Sequence, residues 1–100
     1  MTEIHFTWDP AKAEANRRKH GVHFEDAARV FQDPWHLTIQ DRIEESEYRW
    51  QTIGQIHGVV VLLVAHAVNE GPEEGVVEVR LISARKATRS ERKRYEDEIR

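Results

Sequence analysis

Tyr48-Arg49-Trp50-Gln51-Thr52-Ile53-Gly54-Gln55-Ile56-His57-Gly58-Val59-Val60-Val61-Leu62-Leu63-Val64-Ala65-His66-Ala67 is the stretch whose reading decides the fold. Tyr48 to Ile56 reads as a strand, with Tyr48, Trp50, Thr52 and Ile56 on one side and Arg49, Gln51, Ile53 and Gln55 on the other. His57-Gly58 offers a two-residue hairpin turn, and Val59 to Ala67 returns as a strand apolar on both sides, hence central. Downstream, the polar loop Asn69 to Gly75 leads to a third strand, Val76 to Ala84. Trp35 to Gln40 and Ile4 to Trp8 are further strand candidates. Upstream, Asp9-Pro10 opens a helix that continues through Lys12 to His20, and Gly21 closes it. Phe24, Ala27, Ala28 and Phe31 then fall at i, i+3, i+4 and i+7, the apolar face of a second helix that Asp33-Pro34 ends. Thr88-Arg89-Ser90-Glu91 has the capping-box spacing that starts a last helix, with Tyr95 and Ile99 as its apolar stripe. The expected class is α+β, a single domain over residues 1–100 with two N-terminal helices, an antiparallel sheet of three to four strands and a C-terminal helix.

Composition narrows the function classes. The chain has 100 residues and no cysteine, so it holds no disulfide, thiolate zinc site or cysteine nucleophile. Its longest wholly apolar run, Val59 to Ala65, is far short of the ~20 residues that span a bilayer, and MTEIHFTWDP lacks the features of a secretory signal. A cytoplasmic protein without a membrane partner is expected. The net charge of −3 is an average over unlike segments: +1 over residues 1–20, −8 over 21–79 and +4 over 80–100. Such a chain can bind an anion locally without coating nucleic acid.

With a two-residue turn at His57-Gly58, Arg49 lies opposite His66, and directly opposed residues share a face with Cβ atoms ~5 Å apart. Tyr48, Trp50, Ile56, Val59, Val61, Leu63 and Ala65 then face the helices, together with Val77, Val79 and Leu81. Arg49, His66, Glu78 and Arg80 become a cluster on the polar face, beside Ile82. RNA cleavage by a ribose 2′-OH needs a base, a cation for the charge on phosphorus and an acid for the leaving oxygen, and calls for no cofactor. His66 or Glu78 suits the base and Arg49 or Arg80 the phosphate clamp. The same residues also read as ordinary cross-strand ion pairs on a solvated sheet face.

Arg17-Arg18-Lys19-His20 complements the negative end of the first helix, with Lys19 or His20 as an alternative phosphate ligand. Arg85-Lys86, Arg89, Arg92, Lys93 and Arg94 suggest nucleic acid, yet Glu91, Glu96, Asp97 and Glu98 interleave with them as on a solvated helix. The six histidines show no metal-ligand spacing, and the three tryptophans read first as core.

Phe6-Thr7-Trp8-Asp9-Pro10-Ala11-Lys12, Asn16, Lys19-His20-Gly21-Val22, Phe24-Glu25-Asp26-Ala27, Val30-Phe31-Gln32-Asp33, Arg49, Ile53-Gly54 and Arg80 through Ala87, with Glu91 and Tyr95, together resemble the BrnT family of type II toxins. The resemblance runs in order along almost the whole chain. It implies a RelE-like ribonuclease fold, translation arrest through RNA cleavage, and neutralisation by a BrnA-like ribbon-helix-helix antitoxin through which alone the toxin reaches operator DNA. It adds weight to Lys19, His20, Arg49, Arg80 and Arg85. The resulting expectation is a metal-independent endoribonuclease with Arg49, His66, Arg80, Lys19 and His20 as catalytic candidates and Arg85, Lys86 and Arg17 as RNA contacts. The alternative is a non-catalytic antitoxin-binding module or degenerate toxin acting in operon autoregulation. It is supported by the acidic loop and by Ala67-Val68-Asn69-Glu70 standing where the family pattern has a basic residue.

Overall fold

The computed structural model describes residues 2–99. β1 (Glu3–Thr7) leads to α1 (Pro10–His20), the single turn α2 (Phe24–Ala27) and a 3-10 helix over Ala28–Gln32. β2 (Leu37–Glu44), β3 (Glu47–Ile56), β4 (Val60–Glu70) and β5 (Val76–Lys86) follow, then α3 (Arg89–Glu98). The sheet has five strands in the order β1-β5-β4-β3-β2, antiparallel except for the parallel β1–β5 pair. The expected three to four antiparallel strands are thus corrected to a mixed sheet of five. β1 lies beside β5, more than 70 residues away in the chain, a pairing that local pattern does not encode.

The helix caps form as the residue types dictate. Asp9 accepts the Ala11 N–H at 2.8 Å, and Gly21 closes α1 with φ 71°. Thr88 and Glu91 make the reciprocal capping box of α3. The second helix departs from expectation. His23 gives it no side-chain cap, and after one α-turn the chain tightens into 3-10 geometry. There Val30 presses on β3 at Gly54, where a Cβ would stand 2.8 Å from Val30 Cβ and 2.9 Å from its carbonyl oxygen.

The helices divide between the two faces of the sheet. α1, the link after it, α2 and the 3-10 helix cover one face, with Val22 of the link and Phe24, Ala27 and Val30 packed on Ile56, Leu62, Val64, Val79, Leu81 and Ala84. Buried Asn16 locks α1 to β5: its amide nitrogen donates to the Ala84 and Val22 carbonyls at 2.9 and 3.1 Å, and its oxygen accepts the Ala84 N–H at 3.0 Å. α3 lies on the opposite face, where Tyr95 packs with Ile53, Val61 and Leu63. Among the described residues no helix is long and apolar enough to cross a membrane.

The β3–β4 register differs by one residue from the expected one. His57 and Gly58 form the turn with φ 52° and 75°, and the Val59 N–H donates to the Ile56 carbonyl at 3.2 Å. Val59 is an extra exposed residue, however, and the ladder begins with Ile56 opposite Val60. One residue of slip turns every β4 side chain to the other face. Val60, Leu62, Val64 and His66 therefore face α1, α2 and the 3-10 helix, whereas Val61, Leu63, Ala65 and Ala67 share the face of Arg49.

Candidate active site

Arg49 stands opposite Ala67 of β4, which in turn pairs with Arg80 of β5, and Arg80 pairs with Thr7 of β1. Two guanidinium-bearing strands thus flank a strand carrying only methyl groups at Ala65 and Ala67. This leaves a shallow floor between them, one strand wide. Glu47, two residues before Arg49 on β3, points to the same face. Its Oε1 accepts a hydrogen bond from an Arg80 terminal nitrogen at 2.5 Å and lies 3.4 Å from Arg49 Nε. The longer contact is an ion pair and not a directed hydrogen bond, so buried Arg49 Nε retains a donor without a hydrogen-bond partner among the described residues. Two cations converge on one carboxylate oxygen, the geometry that a non-bridging phosphate oxygen requires. Gln51 and Ser83 continue the polar face toward α3, and Asn69, Glu78 and His5 continue it the other way.

His66 does not join this group. It is 2% exposed on the opposite face, with Phe31 edge-on at 4.9 Å between ring centroids. Its Nε2 and Thr52 Oγ1 are 2.8 Å apart, and Thr52 Oγ1 and Thr38 Oγ1 are also 2.8 Å apart. The expected opposition of Arg49 and His66 is therefore corrected to Arg49–Ala67 and Trp50–His66. Burial, with a smaller contribution from His36, pulls the His66 imidazole down from 6.5 to about 4. Between those values the unfolded chain binds the proton and the folded one does not, so this stability is complete above pH 6.5 and lost as pH falls toward 4. The expected loss is about 3 kcal/mol, and His66→Phe should abolish that slope in urea melts at pH 4–7 while leaving RNA cleavage in place.

The other expected site residues are dispersed. Lys19 and His20 end α1, in the layer behind the arginine face, and Arg17 is held there by Glu14 at 2.6 Å. Arg85 does face the arginine side, but both of its terminal nitrogens bind Glu91, at 2.8 and 3.0 Å. That fork, against the opposing effect of burial, holds the Glu91 carboxyl at about 2. Arg85 thereby orders the start of α3, and Lys86 is exposed at the end of β5. Ile82, expected on the polar face, is the bulged residue of β5 and pairs with nothing on β4. A concavity of about 600 Å³ lies away from the arginines under the β4–β5 loop and is lined by Glu70, Glu73 and Glu74, which repel phosphate. Glu47 is the site residue that sequence reasoning missed. Its spacing of two from Arg49 carries the signal once the strand begins one residue before Tyr48.

Residues 8–91 match the model of the family described as "Ribonuclease toxin, BrnT, of type II toxin-antitoxin system". The 1.1 Å crystal structure of the Brucella abortus ribonuclease toxin BrnT superposes with a TM-score of 0.66 at 25% identity, covering 88% of this chain and 100% of that one. No curated protein matches the chain. The five-stranded sheet, its three helices and the extent of the family match lead to one assignment: the chain belongs to the BrnT family of ribonuclease toxins, whose type II systems pair each toxin with an antitoxin.

Proposed function

We propose that this chain is a cytoplasmic, RelE-like endoribonuclease that arrests translation by cutting RNA without a metal ion and is neutralised by a BrnA-like ribbon-helix-helix antitoxin. The observation that carries the reading is the convergence of Arg49 and Arg80 on the Glu47 carboxylate above the Ala65–Ala67 floor. An RNA phosphodiester entering this face takes over the two guanidinium groups, and their positive charge offsets the charge that builds on phosphorus. Glu47, displaced from the cations, accepts the proton of the 2′-OH. The 2′-oxygen then bonds to phosphorus and the bond to the 5′-oxygen breaks, leaving a 2′,3′-cyclic phosphate. The departing 5′-oxygen takes a proton from water at the open face.

The acidic β4–β5 loop favours a second reading, a non-catalytic antitoxin-binding module. Growth separates the two. Induction of this gene alone should arrest a culture, and co-expression of the adjacent reading frame should restore it; a harmless solo protein supports the module.

A further inference from the structure

An apolar strip crosses the sheet face opposite the arginines, beyond the area that α1 and the 3-10 helix cover. Ile43 of β2 pairs with Tyr48 of β3, and Tyr48 stands beside Val68 because each lies one residue beyond the Arg49–Ala67 pair. From Val68 the strip steps diagonally through Val77 of β5 to its β1 partner Ile4. Ile43, Tyr48, Val68 and Ile4 are 60%, 54%, 42% and 46% exposed. Isolated exposed apolar residues need no explanation, but an aligned set rimmed by charge marks an interaction site.

The rim is acidic. Glu70 sits on the same face as Val68, opposite Val77, and Glu45 occupies the β2–β3 turn beside Ile43. Glu73 and Glu74 follow in the next loop, and residues 21–79 as a whole carry a charge of −8. RNA and anionic lipid headgroups are repelled by such a rim, and a second copy would set like charges against each other. From β2 to β1 the strip covers four interstrand steps, about 19 Å, which matches a helix of about 12–13 residues.

We infer that the Ile43–Tyr48–Val68–Ile4 strip is the docking surface for a basic amphipathic helix of the antitoxin. Leucine-like side chains of the helix would fill the strip while its Lys and Arg residues meet Glu45 and Glu70. This rests on the proposed antitoxin partnership. A helix seated there also bears on the hairpin that carries Glu47 and Arg49 on its other face.

The test titrates the full-length protein encoded by the adjacent reading frame against the wild-type chain and against Val68→Lys, Ile43→Lys and Val59→Lys. Val59 is 70% exposed at the opposite end of β4 and serves as control. Binding should weaken at least about 30-fold in Val68→Lys and Ile43→Lys, as for anchor residues of an interface, and by no more than about threefold in Val59→Lys. Both strip variants should keep wild-type melting and RNA cleavage, and the wild-type association rate should fall with added salt. Wild-type affinity in both strip variants overturns the docking surface, as does conversion of a wild-type dimer to monomer by the same changes, which would make a second copy the occupant. Failure of the wild-type chain itself to bind the adjacent-frame protein overturns the partnership, and the surface with it.

Discussion

Arg80→Ala and Arg49→Ala should each lower the rate of RNA cleavage about 100- to 1,000-fold, the loss typical of removing one donor aimed at the charge that develops in a transition state. Arg80 offers a terminal nitrogen and Arg49 an Nε at the same point in space, now filled by Glu47 Oε1. Folding should survive both changes, since a partly exposed ion pair contributes only about 0.2–1 kcal/mol. A lysine restores charge without the planar fork, so Arg80→Lys should recover only part of the rate. Glu47→Gln divides the work of the site differently. It keeps an oxygen for Arg80 but cannot take a proton, so cleavage should fall while RNA binding strengthens for want of the negative charge. Unchanged cleavage in the folded arginine variants counts against the site.

Asp33→Ala should destabilise the fold by about 3 kcal/mol, because it removes three hydrogen bonds to a charged group and strands a partly buried N–H. Asp33 lies at the end of the 3-10 helix, beside the part of β3 that β2 leaves uncovered. Its Oδ1 accepts the Trp35 N–H at 2.9 Å, and its Oδ2 accepts the Gln55 N–H at 2.8 Å and the Tyr95 hydroxyl at 2.5 Å. One carboxylate thus joins the helical layer, the sheet and α3 on the far face. Burial pushes its carboxyl up, but the hydrogen bonds from Tyr95, Gln55 and Trp35 outweigh this and hold it below the usual range. The unfolded chain therefore takes up the proton first, and this stability, present above about pH 4, is lost as pH falls further. Burial and then Asp33 hold the Tyr95 hydroxyl well above its ordinary value, so its contribution is complete below about pH 10 and lost above it. Tyr95→Phe should cost about 1 kcal/mol, removing the alkaline loss and leaving most of the acid loss. At about 4–8 °C per kcal/mol for a domain of this size, thermal melting resolves both variants.

Features encoded within a few residues were legible in the sequence. Asp9-Pro10, Gly21 and the Thr88–Glu91 box act locally, and each delimits its helix as read. The candidate site was legible in part. Arg49 and Arg80 stand one strand apart on one face because the spacing of two along each strand is robust. The histidine was not, because Val60 to Ala67 is apolar on both sides and supplies no alternation to fix its register. There the turn decides, and Val59 as an extra residue sends His66 into the core. Glu47 escaped because the strand begins one residue before Tyr48. The roles of Asn16 and Asp33 rest on partners 68 and 62 residues away, beyond any local pattern.

Cleavage of a defined RNA in EDTA, with and without a single 2′-deoxy substitution at the cut nucleotide, tests the arginine–carboxylate site most directly. The expected result is cutting of the all-ribose strand to 2′,3′-cyclic phosphate and 5′-hydroxyl ends, with the deoxy strand intact. Equal cutting of the deoxy strand, or 3′-hydroxyl products, would contradict it.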